Sequence, residues 1–522
     1  MKRIYLVLIL FVGVSFGCED FLEEEVFTVL TPNNFFQNED DVLVALNGVY
    51  DGIQARNLQQ VISYTDMVAG SLTWNFGNQY RFLNYEDNFG SIWNNWWRPL
   101  YNIVGRANGA LEALEVSPLP DDVRLNAEGE LRFLRAYAYF YLVRNFANVP
   151  LVTQAPATID DALVLDSAQI ANTDSEFYVQ RSREDIYDFI IEDLIFAEAN
   201  LPESYPATLS GKATMGAAAG LLAKVYLQRA GKQLNTVTGV LEDGDPSFWG
   251  LAASQCQKVM DLGYELEANF EDVFSEANEI ENTEVIFSIK YINSAAIGTD
   301  EEGNRIVADN GIVRTGPTPF SFNLNEVPQE FFTFFNDNTE DDDPRRDFTF
   351  LTFYVDSNDD TVRWGDTNQF DQVKVRKLLT DLVMGSGGST SATSAFDYGN
   401  DWISLRYADV LLMHSEALNE SGGAPTDATI EGINAVRARA NRDLITLPIT
   451  QAELRDAIFV ERKLELAYEG QYYYDCQRFG NLVEEINSSY ERRGTPSNRH
   501  YVFPIPFLAR EANPSLVQNF GW

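Results

Sequence analysis

The stretch from Trp402 to Gly480 constrains the fold more than any other part of the chain. Apolar and small side chains recur there at steps of three and four residues, as in Leu405, Ala408 and Leu412, which is the period of one helix face. Charged residues fall between these positions, and short side chains let neighbouring helices approach closely. Because Ser421-Gly422-Gly423 forms a turn between two of the helices, the block predicts helix pairs.

The same helical period appears elsewhere and predicts four helix pairs along the chain. The paired segments are residues 33–50 with 91–114, 128–146 with 182–199, 211–230 with 247–260, and 403–420 with 426–440. Ser182 and Asp185 are spaced as a capping box at the start of one helix. Trp97 and Tyr101 lie four residues apart and are predicted to be buried, whereas the polar, aromatic stretch from Gln59 to Gly90 is predicted to be a loop.

Residues 270–400 differ from the helical segments on both sides. They are rich in Phe, Thr, Asp, Asn and Gly, and the runs Val285–Ile289 and Phe348–Val355 are predicted strands. The acidic run Glu340–Asp343 offers the oxygen ligands that calcium prefers, and a solvated turn is the simpler interpretation. We therefore expect loops and short strands inserted between helix pairs.

Composition excludes several functional classes. A formal net charge of −40 repels nucleic-acid phosphates, so we expect no binding to DNA or RNA. With only two histidines, a site built from several histidine ligands is excluded, and no cofactor is expected. Cys256 and Cys476 occur in helical patterns and are predicted to be small core residues.

The first residues of the chain have the pattern of an export signal. Lys2 and Arg3 precede an apolar run that is too short to span a bilayer as a helix. Ser15-Phe16-Gly17-Cys18 is similar to a bacterial lipobox, with Ser15 in place of the usual Leu. We therefore predict a signal peptide at residues 1–17, acylation of Cys18, and an acidic tether at residues 18–32.

Three runs in the C-terminal half resemble the signature of the SusD/RagB family, outer-membrane lipoproteins of Bacteroidetes that capture nutrients. The runs are LRYADVLLMHSEALNE from Leu405, INAVRARA from Ile433 and ERKLELAYEGQYYYDCQRFG from Glu461. The helix Glu128–Phe146 and the closing segment Tyr501–Trp522 are also similar to family patterns. The resemblance thus extends over nearly the whole chain after residue 17.

The resemblance implies a mainly α fold in one domain over residues 33–522. A TPR-like array of about four helix pairs would carry loops and short strands on one side, with the insertion at 270–400 and a C-terminal segment at 453–522. The resemblance also implies surface exposure on the outer membrane through a lipid anchor. A SusC-like TonB-dependent transporter would be the partner.

In the family, the N-terminal loop region and the insertion supply the ligand surface. Sugars stack their C–H faces on indole or phenol rings, and polar side chains bind the hydroxyls. The candidate residues of these two regions are Trp74, Asn75, Tyr80, Arg81, Tyr291, Trp364 and Tyr398. Burial in the core is the alternative interpretation for Trp74 and Trp364, and Asp66 is expected to orient backbone.

No catalytic motif stands out, because the chain has no Gly-x-Ser-x-Gly, no His-Glu-x-x-His and no Cys/His cluster. Glu416, Glu461, Glu465 and Glu469 lie beside arginines and are predicted to form ion pairs between helices, with acid–base catalysis as the alternative. We therefore expect an oligosaccharide-binding protein that is not an enzyme. Its ligand would be an algal or plant polysaccharide such as a β-glucan; a RagB-like peptide-binding protein and a glycan hydrolase are the alternatives.

Overall fold

Helices form most of the described part of the chain in this computed structural model. The structure describes residues 36, 38–74, 90–155, 179–292, 303–310, 324–355, 360–366, 372–379, 398–489 and 496–522. The signal peptide, the tether and Cys18 lie outside these residues. The helices within them are α1 Glu39–Gln54, α2 Arg56–Ala69, α3 Gly90–Glu115, α4 Asp121–Phe146, α5 Arg183–Asn200, α6 Met215–Ala230, α7 Ser247–Met260, α8 Ile306–Asn310, α9 Gln329–Asp337, α10 Pro344–Thr349, α11 Tyr407–Glu420, α12 Asp427–Arg439, α13 Gln451–Glu465, α14 Tyr472–Phe479, α15 Leu482–Ser489 and α16 Phe507–Ala512.

Twelve short strands are described between these helices, and they pair into two-stranded antiparallel sheets. The strands are β1 Thr73–Trp74, β2 Val149–Pro150, β3 Gln180–Arg181, β4 Gln233–Leu234, β5 Leu241–Glu242, β6 Val285–Ile289, β7 Asn325–Glu326, β8 Phe350–Leu351, β9 Phe353–Val355, β10 Thr361–Arg363, β11 Lys374–Val375 and β12 Trp402–Arg406. The strand pairs are β1–β7, β2–β3, β4–β5, β6–β12, β8–β11 and β9–β10.

The long helices pack in chain order, each against the next, as in a TPR-like array. Helix α1 packs on α3, and the contacts then continue through α4, α5, α6, α7, α11 and α12. Every helix pair predicted from the sequence is among these contacts. The Ser182 hydroxyl accepts a hydrogen bond from the Asp185 backbone N–H at 3.1 Å, so the predicted cap of α5 is confirmed.

Three local predictions are wrong. Residues 59–69 of the predicted loop belong to helix α2, in which both the apolar residues, such as Met67 and Val68, and the polar residue Gln59 are buried. Residues 402–406 form strand β12, paired with β6, so α11 begins only at Tyr407. In the predicted strand Phe348–Val355, Phe348 and Thr349 end helix α10, and β8 and β9 follow.

The helical block after residue 450 divides into two helices at a tight turn. Helix α13 ends at Glu465 and α14 begins at Tyr472. Between them Tyr468 has a φ of 64° and Gly470 a φ of 72°, a left-handed conformation that an α-helix cannot contain. The turn therefore redirects the chain and places the Tyr468 ring inside the protein.

The core contains the side chains that helical spacing predicts to be buried. Trp97 and Tyr101 are buried, and their ring centroids lie 5.0 Å apart. Cys256 and Cys476 are buried free thiols, which confirms their assignment to the core. None of the helices in the described residues is both long enough and apolar enough to cross a membrane.

Candidate functional site

The N-terminal segment that contains Trp74 lies beside the insertion. Trp74 is the last residue of β1, and it pairs with Asn325 of β7. The Asn325 amide donates to the Ser63 hydroxyl at 3.1 Å and to the Asn310 amide oxygen at 3.2 Å. The structure thus brings together the two regions from which candidate residues were predicted; Asn75, Tyr80 and Arg81 lie outside the described residues.

Trp364 follows β10 on a hairpin of the insertion. Its backbone N–H donates to the Thr352 carbonyl at 2.9 Å, which fixes the end of the hairpin. The side chain is 39% exposed. Its ring meets the Phe332 ring edge-on, with centroids 5.7 Å apart. Trp364 therefore offers part of an indole face to solvent while Phe332 holds the ring in place.

Backbone hydrogen bonds join the two regions into one unit. The Val327 N–H, directly after β7, donates to the Val373 carbonyl at 3.0 Å. Strand β11 then pairs with β8, and helix α9, which contains Phe332, follows β7 in the chain. We call Thr73–Trp74, Asn325–Glu326, Phe332 and Trp364 the candidate region.

Tyr291 and Tyr398 do not belong to an exposed aromatic surface. Tyr291 is 5% and Tyr398 is 2% exposed, so neither ring has a face free for stacking. Tyr291 follows β6 and its N–H donates to Asp401, whereas the Tyr398 carbonyl accepts from the Asn304 N–H. Both rings are therefore core side chains, and the prediction that they stack on a ligand at an exposed surface is wrong.

Asp66 lies near the end of helix α2, ahead of β1 in the chain, and orients backbone, as expected. Its carbonyl accepts from the N–H groups of Gly70, Ser71 and Leu72 at 3.0–3.3 Å, and its carboxylate accepts from the Ser71 hydroxyl at 3.2 Å. Burial raises the pKa of the Asp66 carboxyl to about 7. The second carboxyl oxygen is buried and has no hydrogen-bond partner among the residues that the structure describes. Asp66 therefore fixes the turn that leads into the candidate region.

Buried ion pairs account for the carboxylates of the C-terminal helices. Glu465 contacts Arg345 at 3.0 Å and Arg406 at 2.7 Å, and it also pairs with Arg439. Burial alone would raise the pKa of Glu465, but these guanidinium groups hold it well below its usual range. Glu461 and Glu469 belong to the same network, and Glu416 pairs with Arg478. The predicted ion pairs between helices are confirmed.

Arg345 and Lys377 were not predicted from the sequence, and they connect the insertion to this ion-pair network. Arg345 is 0% exposed and contacts Asp343 at 2.7 Å and Glu461 at 2.7 Å. The Lys377 ammonium contacts Glu469 at 2.6 Å. A buried charge next to a proline or within a polar run gives no periodic signal, so only the contacts reveal this role.

The acidic run Glu340–Asp343 is largely engaged in ion pairs. Asp343 pairs with Arg345, Asp341 contacts Arg346 at 3.2 Å, and Glu340 contacts Arg442 at 3.4 Å. Across the described ranges, no three His, Cys, Asp or Glu side chains group as metal ligands do. The calcium interpretation of this run gains no support from the geometry.

Family comparisons agree with this architecture. Residues 330–522 match a model described as the SusD family, and residues 20–227 match one described as "Starch-binding associating with outer membrane". SusD-like protein P2 of Formosa agariphila is 27% identical over 547 residues, covering 99% of this chain and 98% of that protein.

Solved structures share the fold over almost the whole chain. A SusD homologue from Bacteroides thetaiotaomicron superposes with a TM-score of 0.76 at 24% identity, covering 94% of this chain and 98% of that one. A structure described as a laminarin-binding SusD-like protein has a TM-score of 0.73 at 24% identity, covering 93% of this chain and 100% of the other. The two family matches, at opposite ends of a chain with this helical array, establish that the protein is a member of the SusD/RagB family.

Proposed function

We propose that this protein is a cell-surface glycan-binding lipoprotein that captures oligosaccharides and delivers them to a SusC-like TonB-dependent transporter. The observation that carries the proposal is the half-exposed indole of Trp364, braced by Phe332 of helix α9. An indole held at a fixed angle can stack on the C–H face of a sugar without first losing side-chain freedom. Capture by stacking is reversible binding without a chemical step, so it needs no cofactor.

The family comparisons suggest which glycan to test first. One matching family model is described as starch-binding, and one solved neighbour is described as laminarin-binding. Laminarin is a β-glucan, which is the class expected for this acidic chain. We propose a β-glucan as the ligand, with starch as the comparison.

Binding without catalysis is the simpler interpretation of the carboxylates that the structure describes. Glu416, Glu461 and Glu465 of the C-terminal helices are paired with arginines, and Asp66 is 1% exposed. A glycosidase needs two carboxyl groups placed on either side of an open cleft. One matching family model and one solved neighbour are also described as binding a glycan.

The membrane anchor is the second part of the proposal. Cys18, which lies outside the described residues, would carry the acyl chains, since several chains hold a protein where one is marginal. Incorporation of an alkyne-labelled fatty acid into the wild-type chain, and its loss in Cys18→Ala, tests the anchor. Labelling of the variant at the wild-type level would contradict it.

Calorimetry against a glycan panel tests the capture function. The purified chain is titrated with laminarin oligosaccharides, maltooligosaccharides and a set of short peptides. Saturable heat with one class of glycan supports the proposal. Tight binding of peptides without any glycan would favour the RagB-like alternative, and release of shorter products from a labelled glycan would favour a hydrolase. Co-purification of a TonB-dependent transporter from outer membranes tests the partner.

A further inference from the structure

A cavity of about 60 Å³ lies over the sheet formed by β6 and β12. Ser288 of β6 and Lys290, which follows that strand, line one wall, and Asn400, Asp401 and Trp402 line another. The residues described as lining the cavity include none from the candidate region. The cavity is therefore separate from the surface proposed to capture glycans.

Two buried polar atoms of the lining residues have no hydrogen-bond partner among the described residues. Trp402 is 7% exposed, and its indole Nε1–H makes no hydrogen bond. The side-chain oxygen of Asn400 is likewise buried and unpaired. Leaving a buried donor or acceptor unpaired costs roughly 1–3 kcal/mol. A ligand that both accepts from the indole and donates to the amide oxygen would recover this cost.

The charged groups of the lining are already neutralised within the protein. Asp401 pairs with Lys290 and accepts from the Ser288 hydroxyl at 3.2 Å. At the inner end, Lys377 contacts Glu469 at 2.6 Å. Among the charged lining residues, Glu279 alone forms no ion pair within the described part of the chain. Burial and the nearby Asp401 raise its pKa to about 7, and Lys290 opposes that rise. The cavity thus presents little net charge.

Charge and hydrogen bonding together select the class of ligand. An ammonium group would leave the Trp402 donor unpaired, and a carboxylate would face both Glu279 and Asp401. A hydroxyl group donates and accepts at once. The volume corresponds to roughly four to six water-sized groups, which limits the ligand to a few heavy atoms.

We propose that this cavity binds a small neutral ligand with adjacent hydroxyl groups, either a free polyol or the hydroxyl edge of one sugar unit. Binding of a sugar unit rests on the proposed glycan-binding function, whereas binding of a free polyol does not. Trp402 donates to one ligand hydroxyl, and Asn400 accepts from another. The site is thus a small polyol pocket behind the glycan-binding surface.

Indole N–H signals in nitrogen-15 NMR spectra test the proposal, because the chain has eight tryptophans. The wild-type protein is titrated with glycerol, and Trp402→Phe assigns the Trp402 signal. Trp96 is the internal control: it is 0% exposed and its Nε1 is also unpaired, but it does not line the cavity. We expect a saturable shift of the Trp402 signal and none for Trp96.

Asn400→Ala should weaken glycerol binding about tenfold, as expected for the loss of one buried hydrogen bond. If Trp402→Phe does not fold, the assignment is made from the response to glycerol instead. One indole signal that shifts saturably in the wild-type protein, and needs more glycerol for the same shift in Asn400→Ala, then supports the proposal. Drift of the Trp402 and Trp96 signals by equal, non-saturating amounts would overturn the proposal, because it would indicate solvent effects alone.

A second titration, with a laminarin oligosaccharide, distinguishes the two ligand sources. A saturable shift with the oligosaccharide but not with glycerol assigns the pocket to a sugar unit. A shift with glycerol in a protein that binds no oligosaccharide supports the pocket and contradicts the proposed function. Absence of a saturable shift with either ligand overturns the pocket even if calorimetry shows glycan binding.

Discussion

The Tyr468 hydroxyl donates a hydrogen bond to the Ser71 carbonyl oxygen at 3.1 Å, between positions 397 residues apart in the chain. The same ring lies 5.7 Å from Phe331 and 6.3 Å from Phe350. One side chain of the C-terminal block thus contacts both the segment that leads to Trp74 and the insertion that contains Trp364. We infer that Tyr468 positions the two parts of the candidate region relative to each other.

Tyr468→Phe should weaken glycan binding by roughly three- to tenfold. The substitution keeps the ring contacts and deletes one buried hydrogen bond, with a net loss of about 1 kcal/mol in the free energy of unfolding. Calorimetry measures affinity, and urea denaturation measures stability. The matched control is Tyr473→Phe, which loses a buried hydroxyl bond of 2.8 Å to the His500 carbonyl, away from the candidate region. Equal effects of the two variants on affinity would contradict the positioning role.

Trp364→Ala should lower glycan affinity by at least tenfold and leave the melting temperature nearly unchanged. Ring stacking with partial burial is worth roughly 1–3 kcal/mol. Phe353→Ala is the control, because Phe353 pairs with Arg363 on the opposite face of the same hairpin and is 38% exposed. A control that loses affinity to the same extent would mean that the hairpin, rather than the indole, determines binding.

Trp74→Ala should likewise lose most of the glycan affinity without a large change in melting temperature. The reason is the same stacking contribution, and Trp74 lies where β1 meets the insertion. Calorimetry and thermal unfolding are the two measurements. If the melting temperature falls steeply while the residual folded protein binds normally, Trp74 is a core residue and the proposed surface is misplaced.

Asp66 should make stability depend on pH in the acidic and neutral range. Its pKa is raised from 3.8 to about 7 in the folded protein, so the folded state holds a proton that the unfolded state releases above pH 4. The free energy of unfolding should therefore fall as pH rises from about 4 to 7. Lys377 favours ionisation of Asp66 and Glu469 opposes it, but both charges are weaker influences than burial.

Asp66→Asn should flatten that dependence. Urea denaturation at several pH values measures the free energy of unfolding of the variant and of the wild type. Taking the difference between the two cancels the contributions of other buried carboxyls such as Glu279. A difference that stays constant from pH 4 to 8 would show that Asp66 does not titrate in this range.

Arg345→Ala should destabilise the protein by about 3–5 kcal/mol, because it leaves Asp343, Glu461 and Glu465 buried without this partner. The control, Arg124→Ala, removes a pair with Asp121 that is largely solvent-exposed, and it should cost less than about 1 kcal/mol. Urea denaturation compares the two. A loss below 1 kcal/mol for Arg345→Ala would contradict the structural role of the network.

Helical periodicity predicts the array because it records which side chains face the core, as for Trp97 and Tyr101. It fails at Trp402–Arg406, where both faces are largely buried and a strand has the same apolar content as a helix. Burial of Tyr291 and Tyr398 could not be predicted, because it depends on backbone contacts with residues that are distant in sequence, and residue type alone does not separate a stacking ring from a core ring. Within the candidate region, residue type singles out Trp74 and Trp364, whereas Phe332 and strand β7 are found only through contacts with residues that are distant in sequence.

The buried charges at Arg345 and Lys377 fasten the insertion on both sides of the hairpin that ends at Trp364. A peptide segment held at two fixed points can be exchanged without rebuilding its support. The hairpin between these two points is therefore suited to replacement by protein engineering. Grafting the corresponding hairpin of a relative in place of Phe353–Trp364 should transfer ligand preference while the helical array keeps its stability, because the buried strands β8 and β11 stay in place.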